Sequence, residues 1–332
     1  MNLAVLPDCR AVLAPYAAAV SDVSTELNNA AFLDVVRRAT TSLRAAGVST
    51  GDVLAVMLPD TADFVVTLFA AWRVGAAVAP LDPALPAGEA GRRMARAGAR
   101  VLIVAHDSAP ADPVRSVVSA DRLTAADLDT AEPARVSDDA PALLVPVGGS
   151  GDGSTIAVLD HMNLNALCRL AIEIFAITGT DHSLSIQPLS HVDGIVLGVL
   201  APLLADGRAT IAGPFDPTTF FDRIESSGAT CFAAAPAVYR QLSELPAGIR
   251  PHISSVRIAI CSTAQIGPEL RTAFEHRYGI PIVHDYGLTD FPPRPRPVRI
   301  PAPETPVTLV PRSMTHPGPQ PSHAAAEPNT HP

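Results

Sequence analysis

From about residue 29 to 290, segments with a helical apolar period alternate with short, wholly apolar runs. Asn28 and Asn29 precede a stretch in which Phe32, Leu33, Val36 and Leu43 fall on one helical face, and Gly47 closes it. An amide side chain ahead of such a period starts a helix, and a glycine behind it stops one. Val53–Leu58 then reads as a strand and Ala62–Val74 as an apolar helix ended by Gly75. Ala76–Leu81 and Val101–Ala105 read as strands flanking a helix at Arg92–Arg96. A polar connection (106–140) leads to a strand at Ala142–Val147, a glycine loop, and a helix at Asn163–Ala176. The second half repeats the alternation. Strands are expected near Leu184–Gln187, Ala209–Ala212, Thr230–Ala233, Arg257–Cys261 and Pro281–His284, with helices near 193–205, 217–227, 236–244 and 268–278.

Strands separated by helices of this length predict an α/β protein with two stacked, mostly parallel sheets and helices on their faces. The organisation read from the pattern is a first α/β subdomain over 1–178, a second over 179–291, and a Pro-rich tail over 292–332. Proline at 292, 293, 295 and 297 ends the periodicity abruptly. A segment of that kind supports neither ladder nor helix and is expected to be disordered. Its other readings are a docking ligand for a partner that binds PxxP segments, and an out-of-frame stretch of GC-rich coding sequence.

Composition narrows the function classes. All 24 basic residues are arginine, so no lysine exists to hold a phosphate or orient a carboxylate. A net charge of -9 argues against nucleic acid as a partner. Cys9, Cys168, Cys231 and Cys261 are scattered without metal-ligand spacing and read as buried free thiols of a reducing compartment. The apolar run around Ile195–Leu204 is far too short to span a bilayer. The expectation is a soluble, cytoplasmic protein.

The glycine loop is Val147-Gly-Gly-Ser-Gly-Asp-Gly-Ser-Thr155, read as lying between a strand and a helix. Consecutive backbone N–H groups there could cradle an anion, although a plain connection also fits the residues. No GK[ST] follows, so it is not a Walker motif. Leu43–Pro59, continuing through Ala70–Pro83, closely resembles the opening of acyl-CoA synthetases, the adenylate-forming ligases. Asp285-Tyr-Gly-Leu-Thr-Asp290 resembles a further motif of that family. The Asp160-His-Met-Asn-Leu164 helix start sets the register that puts the glycine loop at the family's phosphate loop, with Ile156 where the family has glycine.

The resemblance covers about residues 29–291 and implies an incomplete N-terminal domain of that family. It places Gly149, Ser150 and Gly151 on phosphate, with Thr155 where the family has lysine. Ser262, Thr263 and Ala264 would lie against adenine, although a close-packed strand end fits these small residues equally well. Asp285, Tyr286, Gly287 and Thr289 would complete the nucleotide site, and Asp290 would hold Mg²⁺. Gln187-Pro-Leu-Ser-His-Val-Asp-Gly194 resembles the segment lining the acyl pocket, which assigns His191 and Gly194 there; a structural histidine is the alternative. The implied cofactors are ATP or AMP, Mg²⁺ and CoA, and the implied substrate is a fatty or aryl carboxylic acid.

The family's ribose-binding aspartate, hinge and C-terminal domain have no counterpart in the 332 residues. The expectation is therefore a weak or inactive ligase. A nucleotide-binding pseudoenzyme, half of a ligase completed in trans, and an interaction module acting through the tail are the alternatives. An incompletely covered sheet is expected to self-associate or to attract chaperones.

Overall fold

The computed structural model describes residues 2–105, 116–128, 131–147, 155–249, 251–262 and 264–284. Helix α1 (Leu6–Leu13) is followed by strands β1 (Ala18–Ser21) and β2 (Glu26–Asn28) and by helix α2 (Asn29–Ala45). Then come β3 (Val53–Met57), α3 (Ala62–Val74), β4 (Ala77–Pro80), α4 (Ala87–Ala97), β5 (Val101–Val104), β6 (Ser116–Ser119) and the short α5 (Ala120–Leu123). The next elements are β7 (Pro141–Val147), β8 (Thr155–Asp160), α6 (His161–Phe175) and β9 (His182–Ser185). A continuous helical run over 192–204 is built from α7 (Val192–Ile195), a π-helical stretch (Val196–Leu200) and α8 (Ala201–Leu204). The chain continues through β10 (Arg208–Ile211), α9 (Phe220–Ser227), β11 (Cys231–Ala234), α10 (Pro236–Ser243), β12 (Ile258–Cys261), α11 (Pro268–Tyr278) and β13 (Ile282–His284).

Two sheets form, ordered β13-β12-β11-β9-β10-β1-β2 and β6-β5-β3-β4-β7-β8. Every pairing is parallel except β1 with β2 and β7 with β8. The strands run apolar on both faces because both faces are covered. Along β11, Cys231 and Ala233 enter one core while Phe232 and Ala234 enter another. Along β3, Leu54 and Val56 enter the first core while Val53 and Ala55 enter a third. The first core is shared by both sheets and by α2, α3, α6 and the 192–204 run. Helices α9, α10 and α11 cover the outer face of one sheet, and α4 covers that of the other. The period of two in each strand thus generates five layers, helix–sheet–helix–sheet–helix.

The central layer is anchored by buried polar groups that find partners. Trp72 is fully buried, and its indole N–H donates to the Ala142 carbonyl at 2.8 Å. The buried Arg10 guanidinium reaches Asn29 and the carbonyls of Leu203 and Gly207, which seats the N-terminal helix against the 192–204 run.

Several sequence expectations need correction. The glycine loop does not join a strand to a helix: it joins two antiparallel strands, with Val147 opposite Thr155, and the helix begins only at His161. Asp160 caps that helix by accepting the Asn163 N–H at 2.6 Å, so the helix starts two residues before the expected Asn163. Strands β1, β2 and β6 lie where no strand was expected, and β1 and β2 extend the same sheet as the later β9–β13. Cys9 is exposed; the other three thiols are buried. The tail over 292–332 lies outside the described residues.

Candidate active site

Parallel sheets gather their loops at the carboxyl ends of the strands, where ligands of α/β proteins bind. Here both sheets open onto one cavity of about 750 Å³. The loops after β3 and β4 contribute Asp60 and Asp82, and the loops after β9, β10 and β11 contribute Gln187, Phe215 and Ala235. The glycine loop leaves the carboxyl end of β7, which lies parallel to β4. The Ser262–Ala264 turn leaves β12, and the Asp285–Asp290 segment leaves β13; both strands lie parallel to β11. The strands that precede these three motifs, β7, β12 and β13, therefore end on the same side of their sheets as the strands whose loops line the cavity.

Of the expected nucleotide residues, Gly149, Ser150, Gly151, Thr263, Asp285, Tyr286, Gly287, Thr289 and Asp290 lie outside the described residues. Thr155 opens β8. Ser262 is fully buried; its N–H donates to the Ala234 carbonyl at 3.0 Å, and its hydroxyl accepts from Gln187 Nε2 at 2.7 Å. Ala264 is exposed one turn further on, with its N–H on the Ser262 carbonyl at 2.9 Å. Among the described residues, no group of three or more His, Cys, Asp or Glu side chains is placed to hold a metal ion. None of the described helices is long and apolar enough to cross a membrane.

The segment between β9 and α7 is clamped from three sides. Gln187 ties it to β12, and the Leu189 N–H donates to Asp60 Oδ1 at 2.7 Å across to the other sheet. Gly194 is packed so closely that an added Cβ would stand 2.3 Å from the Pro188 carbonyl oxygen. Gly194 thus serves the fit of the helical run onto this segment. His191 forms the N-cap position of that run with an exposed side chain. Its charge field reaches two carboxyls, Asp60 and Asp193, each pushed above the usual carboxylate range by burial. Asp193 Oδ1 and Ser185 Oγ are buried without a hydrogen-bond partner. Gln187, Asp60 and Asp193 went unassigned in the sequence. The signal for Gln187 and Asp193 was their polarity inside an otherwise apolar stretch, whereas nothing local marked Asp60, whose partner lies 129 residues away.

A second hollow, of about 500 Å³, lies over β1, β9 and β10. It holds a string of hydrogen bonds from Ser21 to Thr210 and from Thr210 to His182, each 2.7 Å long. No sequence motif reaches this string, and it satisfies its own hydroxyls.

Comparison with known proteins agrees with this fold. The family described as AMP-binding enzyme matches residues 9–294. A feruloyl-CoA synthase of Amycolatopsis sp. is 30% identical over 293 residues, which are 86% of this chain and 59% of the relative. An oxalate–CoA ligase of Arabidopsis thaliana is 26% identical over 80% of this chain and 56% of its own length. The chain thus spans somewhat more than half the length of these relatives. Among solved structures, the inhibitor-bound N-terminal domain of FACL13 from Mycobacterium tuberculosis superposes with a TM-score of 0.79 at 21% identity, over 86% of this chain and 75% of that one. The Klebsiella oxytoca NpsA N-terminal subdomain, in complex with 3-hydroxyanthranilyl-AMSN, gives 0.77 at 18% identity, over 85% and 72%. With its family match covering most of its length, the chain belongs to the AMP-binding enzyme family.

Proposed function

We propose that this chain carries the nucleotide and acyl sites of an AMP-forming acid–CoA ligase, and that by itself it binds better than it catalyses. In that reaction a carboxylate oxygen attacks the α-phosphorus of ATP and pyrophosphate leaves; the CoA thiolate then attacks the acyl carbonyl and AMP leaves. The observation that carries the reading is that the strands preceding three motif segments end on the same side of their sheets as the strands whose loops line the cavity. Adenine would stack on Tyr286 and rest against the Ser262–Ala264 turn, with phosphate on the Gly149–Gly151 loop and Thr289. Asp290 would take Mg²⁺, which neutralises phosphate charge when bound. The acid would lie beside the Gln187–Gly194 segment.

Weak catalysis follows from charge. Thr155 replaces a lysine of the family pattern, and the chain holds no lysine at all. Each charge-assisted hydrogen bond lost to a phosphate or carboxylate costs about 1.5–3 kcal/mol. Pyrophosphate exchange into ATP, assayed with a panel of fatty and aryl acids, is expected to stay at the level of a boiled control. AMP is expected to bind about as tightly as ATP, since the phosphate side is the depleted one. ATP binding tenfold more tightly than AMP, or clear exchange, would overturn this account. Completion in trans by a separate polypeptide is the second reading. Restoration of exchange by an added C-terminal family domain supports it.

A further inference from the structure

We propose that a second copy of this chain docks on the flank formed by β8 and α6, with β8 pairing to its own copy and α6 packing on its own copy about one twofold axis. Of the four strands that end the two sheets, β2 and β13 have three residues and β6 has four, whereas β8 has six. Its run from Thr155 to Leu159 carries no charge and no proline, and among the described residues β8 has one hydrogen-bonded neighbour, β7. The outward N–H and C=O groups of a long, uncharged edge are a template for a further strand.

Helix α6 starts directly after β8, and its inner side enters the shared core through Leu164, Leu167 and Phe175. Its outer side is apolar as well. Met162, Ala166, Leu170 and Ile174 are exposed, the three large ones at 49%, 42% and 45%. Positions four apart share a helix face, so these residues form one stripe where a surface helix normally turns polar side chains to water.

The flank is complementary to itself, which makes a second copy its occupant. Strand β8 sends Ala157 and Leu159 into the shared core and turns Ile156 and Val158 to the side covered by α4. Two β8 strands paired antiparallel about Ala157 or Val158 match each face with its like, whereas a slip of one residue crosses them. An axis normal to the sheet produces that pairing and sets α6 antiparallel to its copy within the same layer. Six strand residues and fifteen helical ones both span about 20 Å, so the stripes meet where the strands pair. Exposed Arg169 and Glu173 border the stripe with opposite signs, and antiparallel helices set each arginine toward the glutamate of the second copy.

Sedimentation velocity on the full chain tests the proposal. One strand and one helix face make a small interface, so a monomer–dimer equilibrium is expected over about 1–100 µM. Leu170→Lys, at an exposed position, should weaken the dimer about tenfold or more. Arg169→Glu and Glu173→Arg should each weaken it alone, while an equal mixture of the two variants should dimerise again, because every facing pair is then opposite in sign. That mixture decides if the lysine variant fails to fold. Hydrogen exchange over 155–160 should slow as concentration rises, while exchange over β2 stays unchanged. A monomer at every concentration overturns the proposal, as it would if the Pro-rich tail or another protein were the occupant. A dimer indifferent to Leu170→Lys and to the charge variants, or one that leaves β8 exchange unchanged, overturns it too.

Discussion

Gln187 Nε2 donates to Ser262 Oγ at 2.7 Å, joining the exit of β9 to the end of β12 across 75 residues of sequence. Ser262 is fully buried, and its backbone N–H is held by Ala234 on the strand between them. The turn assigned to adenine therefore rests on the segment assigned to the acyl group. Gln187→Leu leaves a buried hydroxyl without its donor, at a cost of about 1–3 kcal/mol. The variant should melt several degrees lower and bind AMP several-fold more weakly. Ser262→Ala in the same background should recover stability, since both polar partners are then gone. A double variant no more stable than Gln187→Leu contradicts the coupling.

Gly194 offers a second lever on the same segment. An added Cβ would stand 2.3 Å from the Pro188 carbonyl oxygen and 2.9 Å from that of Gln187, and both are backbone atoms that cannot swing aside. Gly194→Ala should cost about 1–3 kcal/mol through overpacking. Gly248→Ala, in open space and without a left-handed backbone, is the control and should change the melting temperature little. Equal melts for the two variants would show that the segment yields freely.

Much of this was legible in the sequence, and the part that was not has a physical reason. The β3–α3–β4 unit announces itself because its strands are apolar throughout and Gly75 ends the helix at a φ of +90°, which side chains avoid. The same holds for the alternation over β9–β13, which follows from burial on both faces. Strand β8 was hidden because Thr155–Asp160 runs without a turn signal straight into a capped helix, so six apolar-rich residues read as the helix approach. Strand β2 lies at the sheet edge with no buried residue, and β1 beside it buries only its two central residues, so neither carries the alternation with helices that marks β9–β13. Asp60 contacts the site through a backbone N–H contributed by the other sheet, and no local pattern encodes a partner that far along the chain.

Asp181 and Arg257 link β9 to the strand beyond its neighbour. Arg257 Nε reaches Asp181 Oδ1 at 2.7 Å, and Thr230 donates to the same oxygen. Burial raises the Asp181 carboxyl, but the bonds from Arg257 and Thr230 outweigh it and hold the group down at about 2, against an ordinary 3.8. A carboxyl depressed in the folded state stabilises above its unfolded value and loses that contribution as pH falls through its folded one. With Arg257 partly open to solvent, the pair is worth about 1–2 kcal/mol. Asp181→Asn should therefore cost that amount at pH 7 and nearly nothing at pH 2, read by urea melts. An identical cost at both pH values would remove the ion pair from the account.

Two buried histidines set an acid limit in a higher window. His161 packs edge-on to Trp72 at 5.3 Å, and His182 Nε2 is hydrogen-bonded to the Thr210 hydroxyl at 2.7 Å. Burial pushes each down to about 4 from an ordinary 6.5. The folded chain keeps both rings neutral while the unfolded chain protonates them below pH 6.5, so unfolding takes up protons between pH 6.5 and 4. Stability should be flat above pH 6.5 and fall steadily below it, by up to about 3 kcal/mol per ring at pH 4. Emission from Trp72, the single tryptophan, follows the transition directly. His182→Gln keeps a polar partner for Thr210 yet cannot be charged, so its stability should fall about half as steeply over this window. Wild type and variant losing stability in parallel from pH 6.5 to 4 would show that His182 is already free to protonate in the folded chain.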